Sequence, residues 1–183
     1  MERRGSMTRG ILLAGTVALG AIGPAGAQQP QAPAVQVYEA PVVNNKGATI
    51  GKIQIRDGAN ALVLRLTIEP GGVSPGWHGI HFHAVANCSD TAKFELSKGH
   101  VNHESSKHGL LNPDGPDEGD LPNVFANADG SVNAEVSSET ALTGEGGLKD
   151  ADGSALVIHA GEDDHATQPI GNAGARLACA EIK

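Results

Sequence analysis

From Ala61 to Ile68 the chain alternates strictly, with Leu62, Leu64, Leu66 and Ile68 in one phase and Ala61, Val63, Arg65 and Thr67 in the other. Side chains along a β-strand point alternately to its two faces, so this period of two describes a strand that is half buried. No stretch sustains a 3.6-residue apolar repeat over three turns, and the 183 residues include 25 glycines and 10 prolines. Helix signals are therefore weak throughout, and the fold must be built from strands.

The rest of the chain supplies partners for that strand. Val35 to Val43 is rich in β-formers and runs into the turn Asn44-Asn45-Lys46-Gly47. Ile50, Ile53 and Ile55 follow, then the turn Asp57-Gly58-Ala59-Asn60. Pro70-Gly71-Gly72 ends the Leu62–Ile68 strand, and a fourth strand is expected from Gly79 to Val85. Strands resume at Asn123 to Ala126, at Val132 to Val136 beyond the turn Ala128-Asp129-Gly130, at Ala155 to His159 and at Ala175 to Ile182. Short antiparallel strands joined by Asn/Asp-Gly turns predict an all-β Greek-key sandwich or barrel.

Between Asn87 and about Leu121 the periodicity disappears. The segment is polar and turn-rich, with Gly99, Gly109, Gly115, Gly119, Pro113 and Pro116, yet it holds three histidines and several aspartates. A loop of this length is uncommon in a compact domain unless it is functional or something holds it. A metal together with a disulfide would do so.

Eight histidines make a metal the leading expectation. The run WHGIHFHA places His78, His81 and His83 within six residues, and His100, His103, His108, His159 and His165 follow. On a strand His81 and His83 share a face while Phe82 points the opposite way, so two imidazoles can grip one transition-metal ion. His78, three residues from His81, falls on the other face and is expected to be a hydrogen-bonded structural residue.

The first residues read as a targeting segment. Arg3, Arg4 and Arg9 precede an apolar run from Ile11 to Ile22, and Ala25-Gly26-Ala27 is a small-residue cleavage pattern with the cut expected before Gln28. Residues 1–27 are thus a signal peptide, 28–34 a short tether and 35–183 the domain, in a periplasmic or secreted protein. No segment reaches the roughly 20 apolar residues that a membrane-spanning helix needs. An oxidising compartment permits Cys88 and Cys179 to form a bridge, the alternative being two separate buried thiols. A net charge of -8 argues against nucleic acid and against anionic membrane surfaces as partners.

The spaced motifs resemble those of the copper/zinc superoxide dismutases, specifically exported bacterial members. They are HGIHFHA with Cys88, the glycine-flanked His100 and His108, GDLPNV at 119–124, IHAGEDD at 158–164 and GNAGARLAC at 171–179. The resemblance covers Val35 to Ile182. It implies that copper is held by His81, His83, His100 and His159, with His100 bridging to a zinc bound also by His108 and Asp120. It implies further that Asp163 orients ligating imidazoles, that Arg176 guides the anionic substrate beside the copper, and that Cys88 pairs with Cys179. His100 and Arg176 would be the residues acting on superoxide.

One position departs from the family pattern. Where a third zinc histidine is expected, three residues before Asp120, the chain has Asp117. Either Asp117 completes a site of His100, His108, Asp117 and Asp120, or it faces solvent beside a vacant or partly occupied zinc site. His103 and His165 are read as exposed loop residues, with a supplementary ligand as the sharper alternative. Gly171 and Gly174 are expected to bracket a tight approach to Arg176, and Trp77 to serve packing.

The implied activity is superoxide dismutation by copper that alternates between Cu(II) and Cu(I). The alternative is a periplasmic copper-binding or copper-buffering protein with weak or no dismutase activity. The low aromatic content provides few interface anchors, which favours a monomer over a homodimer.

Overall fold

The computed structural model describes residues 35–183, so the expected leader and tether lie outside the described residues. The strands are β1 (Gln36–Asn44), β2 (Thr49–Asp57), β3 (Leu62–Ile68), β4 (Gly76–His78), β5 (Ile80–His83), β6 (Val124–Ala126), β7 (Val132–Ser138), β8 (Ser154–His159) and β9 (Arg176–Ile182). Seven form one antiparallel sheet in the order β5-β8-β9-β1-β2-β3-β7, and β4 with β6 forms a two-stranded ribbon. The ribbon continues into β5 through Gly79, and β6 packs beside β7. It therefore lies between the two edges of the large sheet, which curls as twisted antiparallel sheets do into a half-barrel. The connection from β7 to β8 crosses from one end of the sheet to the other, a Greek-key feature.

The alternation in β3 has its expected consequence. Leu62, Leu64, Leu66 and Ile68 are all buried, whereas Val63, Arg65 and Thr67 are not. They join Ile53, Ile55, Phe82, Leu156, Ile158, Ala180 and Ile182 in the core. Burying such side chains provides on the order of 1.5–3 kcal/mol each relative to leaving them in water.

The expected strand from Gly79 to Val85 is instead two strands. Residues before Gly79 pair with β6 and those after it with β8. At the break the Gly79 N–H donates to the Gly161 carbonyl at 2.8 Å, and its own carbonyl accepts from the His159 N–H at 2.9 Å. A Cβ there would stand 2.9 Å from Ala173 Cβ and 3.1 Å from Asp163 Cβ. Only glycine lets the chain change sheets in that space.

At the β5-β8-β9 end the sheet is buried on both faces. Ile80, Phe82, Leu156 and Ile158 face the main core, while the face carrying His81 and His83 also carries Ala155, Val157 and Cys179. The long loop covers that second face. Phe94 packs there with Cys88 and Cys179, which form the disulfide with Cα atoms 5.9 Å apart. Within the loop the regular structure is one 3-10 turn, Glu95–Ser97.

Trp77 and Phe125 sit opposite each other on the ribbon, ring centroids 5.1 Å apart, edge to face. They are 50% and 52% exposed, so Trp77 packs in a surface pair and not in the core.

Candidate metal centre

Strand β5 and the loop that lies along it bring the histidines together. The loop docks through backbone bonds: Phe82 N–H to Gly119 O at 2.9 Å, Val101 N–H to Phe82 O at 2.9 Å and Ala84 N–H to Gly99 O at 2.9 Å. His83 thereby faces His100 and His81 faces Asp120 as isolated bridge partners. His159 comes from the end of β8, where a bulge separates it from Ile158 and places it opposite Arg176 of β9.

Two clusters result. In the first, donor atoms of His81, His83 and His159 lie within 4.8 Å of one another. The His100 ring stands 4.3 Å from that of His81 and 5.2 Å from that of His83, centroid to centroid. In the second, His100, His108, Asp117 and Asp120 bring their donor atoms equally close. His100 faces both clusters.

His81, His83, His100 and His159 each have one ring nitrogen engaged and one free. His81 Nε2 pairs with Asp163 Oδ2 at 2.7 Å, His83 Nδ1 with the Lys98 carbonyl at 2.8 Å and His159 Nδ1 with the Gly174 carbonyl at 3.0 Å. A carbonyl or carboxylate accepts, so these nitrogens carry hydrogen. The opposite atoms, His81 Nδ1, His83 Nε2, His159 Nε2 and His100 Nε2, are buried with no hydrogen-bond partner. Orphaned buried polar atoms are rare and destabilising. The three lone pairs of the first cluster, with that of His100 beside them, are a donor set suited to copper, and the chain's residues fit that ion.

Electrostatics separates the two clusters. Burial holds His83 well below the ordinary imidazole range, with the charges of Arg176 and His100 pushing the same way. Burial and the neighbouring His81 bring His159 down to about 3, and burial lowers His81 despite its bond to Asp163. These rings are neutral and ready to coordinate. At His108 burial also opposes charge, but hydrogen bonds to Asp120 and Asp163 outweigh it and raise the group to about 10.

Asp163 sits between the clusters. Its Oδ2 meets His81, and its Oδ1 lies 3.2 Å from His108 Nε2 and accepts the His165 N–H at 2.6 Å. Burial works against its charge, yet these bonds hold the carboxyl far below the usual range. Asp120 Oδ1 lies 2.5 Å from His108 Nδ1, and its Oδ2 accepts the N–H groups of Gly109 and Asp117 at 2.6 and 3.0 Å.

Asp117 does not face solvent. It is 6% exposed, with Oδ2 2.9 Å and Oδ1 3.2 Å from His100 Nδ1. His103 lies outside both clusters, its side chain 47% exposed and 3.9 Å from Glu118. His165 is half-buried, accepts from Asn123 Nδ2 at 3.0 Å and stands 3.4 Å from Asp163, also outside both clusters. His78 places its ring nitrogens 2.7 Å from the His159 and Ser74 carbonyls, so neither is offered to a metal.

Arg176 donates to the carbonyls of Phe94 at 2.6 Å and Lys98 at 2.7 Å and to Ser97 Oγ at 3.1 Å. The disulfide holds the loop that presents these acceptors. The close approach at Gly171 is to Asp163 and His108, not to Arg176 as expected. Residue chemistry also did not reveal the Lys98 and Gly174 carbonyls, since any residue carries one. Asn123 went unmarked too, although it clamps the Asp163 backbone with bonds of 2.7 and 2.9 Å.

A family model described as copper/zinc superoxide dismutase (SODC) matches residues 49–182. A protein of Caulobacter vibrioides named superoxide dismutase [Cu-Zn] is 47% identical over 142 residues, 75% of this chain and 80% of that one. One of Aquifex aeolicus, superoxide dismutase [Cu-Zn] 1, is 38% identical over 148 residues, 79% of this chain and 86% of that one. Among solved structures, a SOD-like protein from Bacillus subtilis superposes with a TM-score of 0.75 at 31% identity, covering 82% of this chain and 100% of that one.

Proposed function

The chain belongs to the copper/zinc superoxide dismutase family, and from that membership we propose that it converts superoxide to dioxygen and hydrogen peroxide at a copper site formed by His81, His83, His100 and His159. The observation that carries this reading is that one ring nitrogen on each of His81, His83, His100 and His159 is buried without a hydrogen-bond partner. Copper, when bound, supplies one-electron chemistry by cycling between Cu(II) and Cu(I). Zinc is assigned to His100, His108, Asp117 and Asp120, a set of two nitrogen and two oxygen donors that this ion accepts.

The protein's own residues do the rest. Asp163 and the Lys98 and Gly174 carbonyls hold the ring N–H groups, fixing tautomer and direction. Arg176, opposite His159, draws the anion inward despite the negative net charge, because the local field governs entry. His100 Nε2, the nitrogen offered to copper, would also be the atom to hold a proton for the product when the ring is not engaged by the metal.

The alternative of a copper buffer with weak or no activity is not favoured. Copper ligands and Arg176 are present together, and the relatives reported above include proteins named as dismutases. We read the protein as exported, with its leader removed before Gln28 and the Cys88–Cys179 bridge suited to an oxidising compartment. Among the described residues no helix is long and apolar enough to cross a membrane. A monomer is the proposed state, to be checked by sedimentation velocity, with Trp77 and Phe125 as the exposed aromatics among the described residues.

The test is metal content and superoxide consumption measured on one sample of mature protein reconstituted with copper and zinc. One equivalent of each metal with rapid turnover supports the assignment. Copper binding without turnover would transfer the protein to the buffering reading.

A further inference from the structure

In the reading above His100 would serve both metal sets, with Nδ1 on the side of Asp117 and Nε2 left for copper. In this chain the same Nδ1 already has a protein partner, Asp117, at 2.9 and 3.2 Å. A carboxylate accepts from a ring N–H, so in the neutral imidazole His100 Nδ1 carries the hydrogen and Nε2 keeps its lone pair. That Nε2 is among the buried ring nitrogens without a hydrogen-bond partner.

Asp117 is itself fixed. Its Oδ1 accepts the Gly119 N–H at 3.0 Å, and its backbone N–H donates to Asp120 Oδ2 at 3.0 Å. The loop runs close against His100, since a Cβ at Gly119 would stand 2.9 Å from His100 Cβ. Asp120 is a poor substitute: it lies 3.6 Å from His100 Nδ1, and the same oxygen is committed to His108. A histidine at 117, as in the family pattern, would bring no negative charge to this contact.

We propose that Asp117 is a positioning residue for the copper site, holding His100 in the Nδ1–H tautomer with Nε2 toward His81, His83 and His159 when zinc is absent. The copper site of this chain is then assembled before zinc arrives. The inference rests on the copper assignment above, and it makes zinc-free copper affinity depend on Asp117.

Two measurements decide it. The first is nitrogen-15 NMR of the metal-free native protein, which needs no variant. The expected signal for His100 is that of an imidazole protonated at Nδ1, and an Nε2-protonated ring would overturn the proposal. The second is Cu(II) affinity with nitrogen superhyperfine structure by electron paramagnetic resonance, on zinc-free native protein and on Asp117→Ala and Asp117→Asn. Loss of a partner that orients a ligand typically lowers metal affinity roughly 10- to 100-fold. That loss is expected for Asp117→Ala, with one fewer nitrogen around the copper, and a smaller one for Asp117→Asn, which keeps the shape and an acceptor oxygen. Native-like affinity and nitrogen count in folded Asp117→Ala would refute the role. Should Asp117→Ala fail to fold, native-like values in Asp117→Asn together with an Nε2-protonated His100 refute it equally. Failure of the native protein to take up copper would instead overturn the functional reading, leaving the tautomer measurement to judge the contact itself.

Discussion

The backbone at Gly171 runs against the carboxylate of Asp163, so that a Cβ built on Gly171 would overlap Oδ1, reach to 2.6 Å from Cγ and stand 3.0 Å from His108 Nε2. Gly171 also has φ +57, a left-handed conformation that costs an L residue about 1–2 kcal/mol. Glycine is therefore required twice, for backbone shape and for space. The space it leaves is occupied by the carboxylate that touches both His81 and His108.

Gly171→Ala is expected to displace Asp163 from His81 and His108 while the strands persist. Copper and zinc affinities should both fall, by roughly 10- to 100-fold for the loss of a ligand-orienting partner. Competition with chelators measures this, and circular dichroism reports the fold. Native affinities in the variant would show that Asp163 does not act through its position.

The disulfide closes a loop with a sequence separation of 91 residues. In the chain-entropy picture, reduction removes up to about 4–5 kcal/mol of stability. The double variant Cys88→Ser, Cys179→Ser should melt well below the native protein and should lose order first around Phe94 to Lys98, whose acceptors hold Arg176. Thermal unfolding with hydrogen exchange tests both parts. A melting temperature unchanged by reduction would contradict them.

For Arg176 the expected loss is in capture of the anion. Arg176→Gln should lower kcat/KM roughly tenfold or more and flatten its dependence on ionic strength, since focusing of a charged substrate is screened by salt. Arg176→Lys should recover part of the rate by restoring charge without the planar fork that meets Phe94, Ser97 and Lys98. Stopped-flow superoxide decay at several salt concentrations separates the variants.

Proton release should distinguish the two metals. In the metal-free protein His108 is raised to about 10, so at neutral pH zinc must displace its proton. Zinc affinity should rise with pH, about tenfold per unit for each proton displaced, until His108 titrates. Copper displaces none from His81, His83 or His159, whose values are lowered. The same raised value makes a linkage statement: the stability that charged His108 provides is fully present below its unfolded value and is lost as pH rises through about 10. Calorimetric titration in buffers of differing ionisation enthalpy counts the protons, and equal release by both metals would be the contrary result.

Local pattern determined the outer half of this protein. The period of two in β3 and the turns around β1 and β2 were legible because those strands have one core face and one wet face, and water imposes alternation on such a sequence. His81 and His83 were legible for a related reason, being two residues apart on one strand. Alternation failed at β5 and β8, where every residue is buried because a loop covers the second face. The break at Gly79 was hidden with it.

Which residues meet across the site was decided only by tertiary structure. The pairing of Asp117 with His100, the Asp163 contacts to His81 and His108, and the Lys98 and Gly174 carbonyls behind the copper rings join segments far apart in the chain. Sequence supplies the donor types; their distances and free lone pairs exist only once the loop has docked on β5 and the disulfide has closed behind it, because hydrogen bonding and coordination depend on geometry that spacing along a flexible chain does not carry.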